Sequence, residues 1–172
     1  MSDFSRIRTP FVGMSHQDVQ NMFIYDNGNI RWKTDRARGK VKAGSIAGSK
    51  TSRGYLRLTI GYKEYPVHKV VFFIHHGYCP DVIDHINGNP LDNRIENLRE
   101  SNPQTNQYNR KKGKNNTSGC KNVSWSAKKL TWQIHIRHNK KVKCWYVKDF
   151  ELAELIAHEA RDLYHGSFAN HV

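Results

Sequence analysis

A chain of 172 residues carrying 28 Lys plus Arg against 15 Asp plus Glu, for a net charge of +13, has room for one ordinary domain or two or three small ones but not for a deep enzyme fold with a large core. That charge is the electrostatic footprint of a polyanion binder, with nucleic acid the leading partner. Three widely spaced cysteines, Cys79, Cys120 and Cys144, form no C-x-x-C pair, which argues against a disulfide framework and a structural zinc; no apolar stretch approaches a membrane span or a signal peptide, so the expectation is a soluble intracellular protein.

In chain order, residues 1–18 mix polar, Pro and Gly residues without a period and read as a flexible or loosely docked tail. From Met22 to Val71 come short β-prone runs between turn signals: FIYD, the Asp26-Asn27-Gly28 turn, IRWK, a Gly-rich basic stretch, GYLRLTI and EYPVHKVV. They predict an antiparallel sheet. Its Arg31, Lys33, Arg36, Arg38, Lys40 and Lys42 read equally as phosphate contacts and as a solvated basic loop. VHKVVFFIHHG is apolar on most sides, and its periodicity fits a strand or a helix. The stretch DVIDHINGNPLDNRIENLRESNPQTNQYNR is dense in Asn and Asp, turns at Gly88-Asn89-Pro90, and starts a helix near Pro103, capped by Ser101 or Asn102.

Between Arg110 and Lys148 lie 12 Lys or Arg and no Asp or Glu. Within that basic stretch KKGKNNTSG reads as a polar linker, and KNVSWS, WQIHIRH and KCWYVKDF alternate like three strands. The closing ELAELIAHEARDLYHG predicts an amphipathic helix, with Leu152, Leu155, Ile156, Ala160 and Leu163 on its apolar face, Asp149 as N-cap and Gly166 as stop.

Phosphodiester hydrolysis needs a generated nucleophile, charge neutralisation at phosphate and help for the leaving oxygen. The adjacent Asp84 and His85 offer a hard oxygen ligand for a divalent ion and a base that titrates near neutrality. On an extended strand their side chains point to opposite faces, so both serve one site only at a distorted strand or beside a cleft.

The elements HKVV, IDHINGNPLDNRIENLR and the helix with TNQYNR together resemble the HNH endonucleases of phages and mobile introns. The resemblance implies a ββα-metal core, in which VHKVVFFIHHG is a helix, Asp84 and a helix residue bind one divalent ion, His85 activates water, and Asn97 holds the histidine's loop. Asn106 is the match for the last ligand position, with Asn109 the second choice and Asn102 one turn away. His68, in H-K-V-V, is either structural or a phosphate contact. The other histidines, His75, His76, His138, His158, His165 and His171, read as solvated or packing residues.

The residues from Asn115 onward, with S-G-x-x-x-V, W-x-I-x-I-R, D-F-E-x-A-E and H-G-S-F-A, resemble the DNA-binding domain of plant ethylene-response factors. That resemblance implies a three-stranded sheet lying in the major groove, backed by a helix. By position Lys121, Ser124, Ser126, His135, Arg137 and Tyr146 face DNA, while Ser124, Ser126 and Cys144 stand where plant members have arginine, which weakens base reading. Lys128, Lys129, Lys140, Lys141 and Lys143 read as phosphate contacts or a solvated hairpin face, and at least two of Trp125, Trp132 and Trp145 as core.

The fold class expected is α+β: an N-terminal antiparallel region at 19–66, a ββα-metal core at 67–110, a basic linker at 111–118 with Arg110, Lys111, Lys112 and Lys114 meeting DNA, and a three-stranded sheet on one helix at 119–172. The function expected is a metal-dependent homing-type DNA endonuclease, phage-encoded and acting in the bacterial cytoplasm. Its cofactor is one Mg²⁺ ion replaceable by Mn²⁺, and its partner is double-stranded DNA, with no membrane and no small-molecule substrate; a monomer is expected. A DNA-binding regulator without activity and an RNA-binding protein are the rival readings.

Overall fold

The computed structural model describes residues 11, 13–52 and 54–172, and these fall into two compact units, Met1–Ser101 and Asn102–Val172. The class is α+β, built from small antiparallel sheets.

In the first unit, helix α1 (His16–Met22) begins at a capping box: Ser15 accepts from the Asp18 amide and Asp18 accepts from the Ser15 amide. The tail expected over 1–18 is thus corrected where the chain is described. Phe11 is fully buried, its ring 4.6 Å from Tyr65 and 5.0 Å from Phe73, because an aromatic at the chain's edge gains more by filling the core than by hydration. The part of that expectation on residues 1–10 and 12 lies outside the described residues.

Strands β1 (Phe23–Asp26) and β2 (Asn29–Trp32) form the hairpin announced by Asp26-Asn27-Gly28, with Asn27 and Gly28 both at positive φ, 44° and 89°. Gly28 has a second constraint. A Cβ there would lie 2.8 Å from the Arg94 amide nitrogen, so the hairpin tip presses on the loop that follows the D-H pair. Strands β3 (Ser49–Lys50), β4 (Leu56–Ile60) and β5 (Lys63–Pro66) make a second sheet, ordered β3-β4-β5.

The ambiguous apolar run is helix α2 (Val67–His76), ended by Gly77 at φ 73°, whose N–H reaches the Phe73 carbonyl. Val67, Val70, Val71, Phe72 and Phe73 are all buried, which is why the run shows no clean amphipathic period: core covers the helix on most sides. Strands β6 (Val82–His85) and β7 (Leu98–Ser101) then pair as a ribbon, with Asp84 opposite Arg99 and His85 opposite Leu98.

The second unit opens with helix α3 (Pro103–Tyr108), capped by Asn102, whose side chain accepts from the Gln104 and Thr105 amides, both at 2.9 Å. Strands β8 (Val123–Ser126), β9 (Thr131–His138) and β10 (Lys141–Val147) form a sheet ordered β10-β9-β8, packed on helix α4 (Phe150–His165). Asp149 caps α4 through the Leu152 amide, and Gly166 ends it.

The apolar face expected of α4 is corrected. Ala153, Ala157 and Ala160 are the residues buried on the sheet, Ile156 is half-buried, and Leu152, Leu155 and Leu163 are exposed, Leu163 by 74%. Small side chains on the contact face let the helix approach the sheet closely, so the alanines and not the leucines meet Ile134 and Ile136.

The stretch read as a linker is tied to this unit by its own hydrogen bonds. Lys112 N–H reaches the Val172 carbonyl, Asn116 holds Cys120 and Gly119, and the Ser118 hydroxyl donates to the Val123 carbonyl at 2.7 Å. Helix α3 is fastened to the same unit. The Tyr108 ring stacks on His165 with centroids 3.8 Å apart and planes 5° from parallel, and Asn170 donates to Asn109. No helix among the described residues is long and apolar enough to cross a membrane.

Candidate functional site

The D-H pair ends strand β6, and both side chains are buried. Their partners differ. Asp84 Oδ2 accepts from Arg99 Nε at 2.8 Å and lies 2.7 Å from Arg99 Nη2, a guanidinium delivered by the facing strand β7. His85 Nε2 donates to Asn93 Oδ1 at 3.0 Å. An amide oxygen can only accept, so Nε2 carries the ring proton and Nδ1 is the basic nitrogen. Asn93 is 1% exposed, and its Nδ2 is a buried donor without a partner.

The loop between β6 and β7 is closed by Asn97, at the end of the short 3-10 turn Ile95–Asn97. Asn97 Nδ2 donates to Asn87 Oδ1 at 3.0 Å and to the Asp92 carbonyl at 2.7 Å, while Asn97 Oδ1 accepts from the Asn87 amide at 3.0 Å. Arg94 clamps Asp92 through Nε and Nη2, both at 2.8 Å, and this pairing holds the Asp92 carboxyl well below the usual carboxylate range. The backbone of Ile95 is fixed in turn by the Tyr25 hydroxyl on β1, which accepts from its amide. The Asn/Asp density that could be mere turn chemistry therefore builds a braced loop around His85.

His68, on α2, sets its ring against His85, with centroids 5.2 Å apart at 80°, and Tyr55 lies 6.0 Å from His68 and 6.3 Å from His85. Burial pushes the His68 pKa down to about 3, helped by the neighbouring His85, so its imidazole is neutral at physiological pH.

Of the three asparagines considered for the last ligand position, Asn102 is the α3 N-cap and Asn109 is buried against Asn170, whereas Asn106 is exposed on α3. Asp84 as an ion ligand has suitable chemistry: a buried hard carboxylate oxygen whose charge is balanced by a cation, Arg99, already at hand. Sequence reasoning assigned no role to Asn93 or Arg99, although both lie in the stretch IDHINGNPLDNRIENLR, and none to Tyr55. Arg99 was recoverable, because pairing His85 with Leu98 places Asp84 opposite Arg99. Asn93 was not, since its contact depends on the course of an irregular loop.

In the second unit Ser124, His135, Arg137 and Tyr146 are exposed and Ser126 is half-buried; the strand register puts these five on one face with Gln133 and Cys144. Lys129 covers the Tyr146 ring at 4.0 Å. Lys121 does not join them. Its amine donates to the carbonyls of Tyr108 at 2.9 Å and Asn170 at 3.1 Å, and burial together with Arg161 pushes its pKa down to about 8. Arg110, Lys111, Lys112 and Lys114 are exposed, Lys112 donating to the Gly119 carbonyl. Trp132 and Trp145 pack on the core, while Trp125 is 47% exposed. In the basic loop of the first unit Arg31 pairs with Asp26, Lys42 with Asp35, and Arg36 lies over Trp32. The donor atoms of Cys120, Glu154 and His158 lie within 4.8 Å of one another, and burial raises the pKa of the Cys120 thiol.

Residues 65–108 match the family model described as HNH endonuclease. Over 88 residues the chain is 40% identical to Protein 3.8 of Escherichia phage T7, an alignment that covers 51% of this chain and 72% of that protein. The chain belongs to the family of that phage protein, and its residues 65–108 are an HNH endonuclease domain. No solved structure matches it.

Proposed function

We propose that the chain is a metal-dependent DNA endonuclease of the homing type, in which His85 is the general base. The observation that supports this reading is the brace on the histidine: Asn93 accepts from Nε2, which leaves Nδ1 basic, and Asn97 closes the loop that carries both residues. In the proposed reaction Nδ1 takes a proton from water as its oxygen bonds to phosphorus, the opposite P–O bond breaks, and the leaving oxygen takes a proton from solvent. A divalent ion, Mg²⁺ or Mn²⁺ in its place, would supply charge neutralisation at the phosphate. Asp84 and Asn106 are the residues proposed to hold it.

The outward face of the second unit is proposed to grip double-stranded DNA through Ser124, Ser126, His135, Arg137 and Tyr146, with Arg110, Lys111, Lys112 and Lys114 on phosphates. Charge supports this: the stretch from Arg110 to Lys148 has no acidic residue. A monomer with one such core is expected to nick.

The test is supercoiled plasmid and phage-derived DNA incubated with wild type and His85→Ala, each with Mg²⁺ and with EDTA. Metal-dependent nicking lost in the variant supports the reading; retarded but uncut DNA in every lane sinks it in favour of binding alone.

A further inference from the structure

A cleft of about 490 Å³ is lined by Thr51, Ser52, Tyr55, Arg57, Pro66 and His68, two of which, His68 and Tyr55, set their rings 5.2 Å and 6.3 Å from that of His85. Among the described residues its polar lining is one guanidinium, three hydroxyls and one imidazole, with no carboxylate. Such a lining is built for an anion with several acceptor oxygens.

The groups are placed by rigid elements. Arg57 is on β4, opposite Pro66 of β5; His68 is in the first turn of α2. Tyr55 is fixed by a tight turn, in which the Thr51 amide donates to the Tyr55 carbonyl at 2.8 Å and the Tyr55 amide to the Thr51 hydroxyl at 3.3 Å. The Arg57 guanidinium donates through Nη1 to Glu64 Oε2 at 3.1 Å, but both side chains are exposed, and a pair of that kind contributes little. A phosphate can therefore recruit the guanidinium at small cost.

We propose that this cleft seats a backbone phosphate of the nucleic acid next to the one being cut, with Arg57 and Tyr55 donating to its oxygens and His68 packed as a spacer between it and His85. The inference rests on the nuclease reading and deepens it. Arg57 and Tyr55 are substrate-binding residues here, and His68 is a positioning residue.

The test uses the full chain and a labelled DNA duplex, with affinity measured in EDTA across a salt series and nicking measured with Mg²⁺. Arg57→Ala is expected to weaken binding about 5- to 20-fold and to reduce the salt slope by about one, as loss of one phosphate contact requires. Tyr55→Phe, which removes a single oxygen, is expected to weaken binding about 3-fold, and the nicking defect of both is expected in KM more than in kcat. His68→Gln is expected to bind as wild type and to lose kcat.

Wild-type affinity and salt slope in both Arg57→Ala and Tyr55→Phe would overturn the proposal. Should Arg57→Ala fail to fold, Tyr55→Phe decides alone. His85→Ala keeps the two readings apart: retained cleavage in that variant removes the proposed base, while the EDTA affinities still judge the cleft.

Discussion

Asp84 and Arg99 face each other across paired strands, and their contact decides how this site behaves without an ion. A buried carboxylate without a cation would be destabilising; with Arg99 at 2.7 Å the charge is already compensated. Chelation is therefore expected to stop nicking and to lower the thermal midpoint only slightly, by the binding energy of the ion alone. Arg99→Ala is expected to cost about 3 to 5 kcal/mol in urea titrations, the range for breaking a buried pair, and to make the midpoint rise with added Mg²⁺. Equal Mg²⁺ responses in wild type and variant would contradict this account.

His68 gives a pH dependence with a definite sign. In the unfolded chain it takes up a proton near its ordinary value of about 6.5, whereas in the folded protein burial delays that until about 3. Between these values the unfolded state binds more protons, so stability is lost as the pH falls from about 6.5 toward 3, and His68 contributes no pH dependence above that window. The difference in urea midpoint between pH 7.5 and pH 5 is expected to shrink in His68→Gln, and an unchanged difference would assign the dependence to other groups. For Asn93, replacement by Leu removes the acceptor that fixes the His85 tautomer, and a fall of about 100-fold in nicking rate is expected with little change in DNA affinity. Asn93→Asp keeps an acceptor oxygen and should restore part of the rate with a pH optimum moved upward, because the carboxylate stabilises the imidazolium. The D-H pair itself was legible from the sequence because the motif spacing carried it. Arg99, 15 residues from Asp84, follows from the strand pairing, whereas Asn93 and Tyr55 act through contacts 8 and 30 residues distant in the chain, and no local pattern announces those.

Among the elements, those that satisfy local rules were readable. The β1–β2 hairpin follows from Asp26-Asn27-Gly28, α3 from an Asn-Pro start, and α4 from Asp149 and Gly166. Where tertiary packing overrides a local signal, reading failed. On α4 the leucines advertise an apolar stripe, yet the alanines are the ones buried, because residue size at the contact sets the helix-to-sheet distance. Packing also overrides the local signal at Lys121, which the resemblance put on the DNA side but whose amine donates to two carbonyls. The loop after β6 is held mainly by side chains, so Asn97→Ala, which removes three hydrogen bonds, is expected to destabilise the protein by about 3 kcal/mol in urea titration.

At the scale of the whole molecule, the stretch that matches the HNH family model runs over residues 65–108, while the boundary between the two compact units falls between Ser101 and Asn102. Helix α3 is thus inside the family match and also inside the second unit, held there by the Tyr108–His165 stack and by Asn170. Six residues are too few for a helix to persist without such packing. A fragment of residues 102–172 is expected to show α3 amides protected from hydrogen exchange, and a fragment of residues 1–110 to show them unprotected; the reverse result would break this assignment. The second unit was legible as three strands and a helix, but its true start was not, because KKGKNNTSG looks like a linker by composition and is fastened only by contacts with residues far along the chain.

The fastening of α3 also bears on inheritance. Coding sequences that recombine exchange at internal points, and an exchange is tolerated where it leaves each compact unit whole. In this chain the boundary between the compact units lies before Asn102, so a recombinant that acquired a new C-terminal unit would receive a new α3 with it, and the last residues of the stretch that matches the HNH model would come from a different donor than His85.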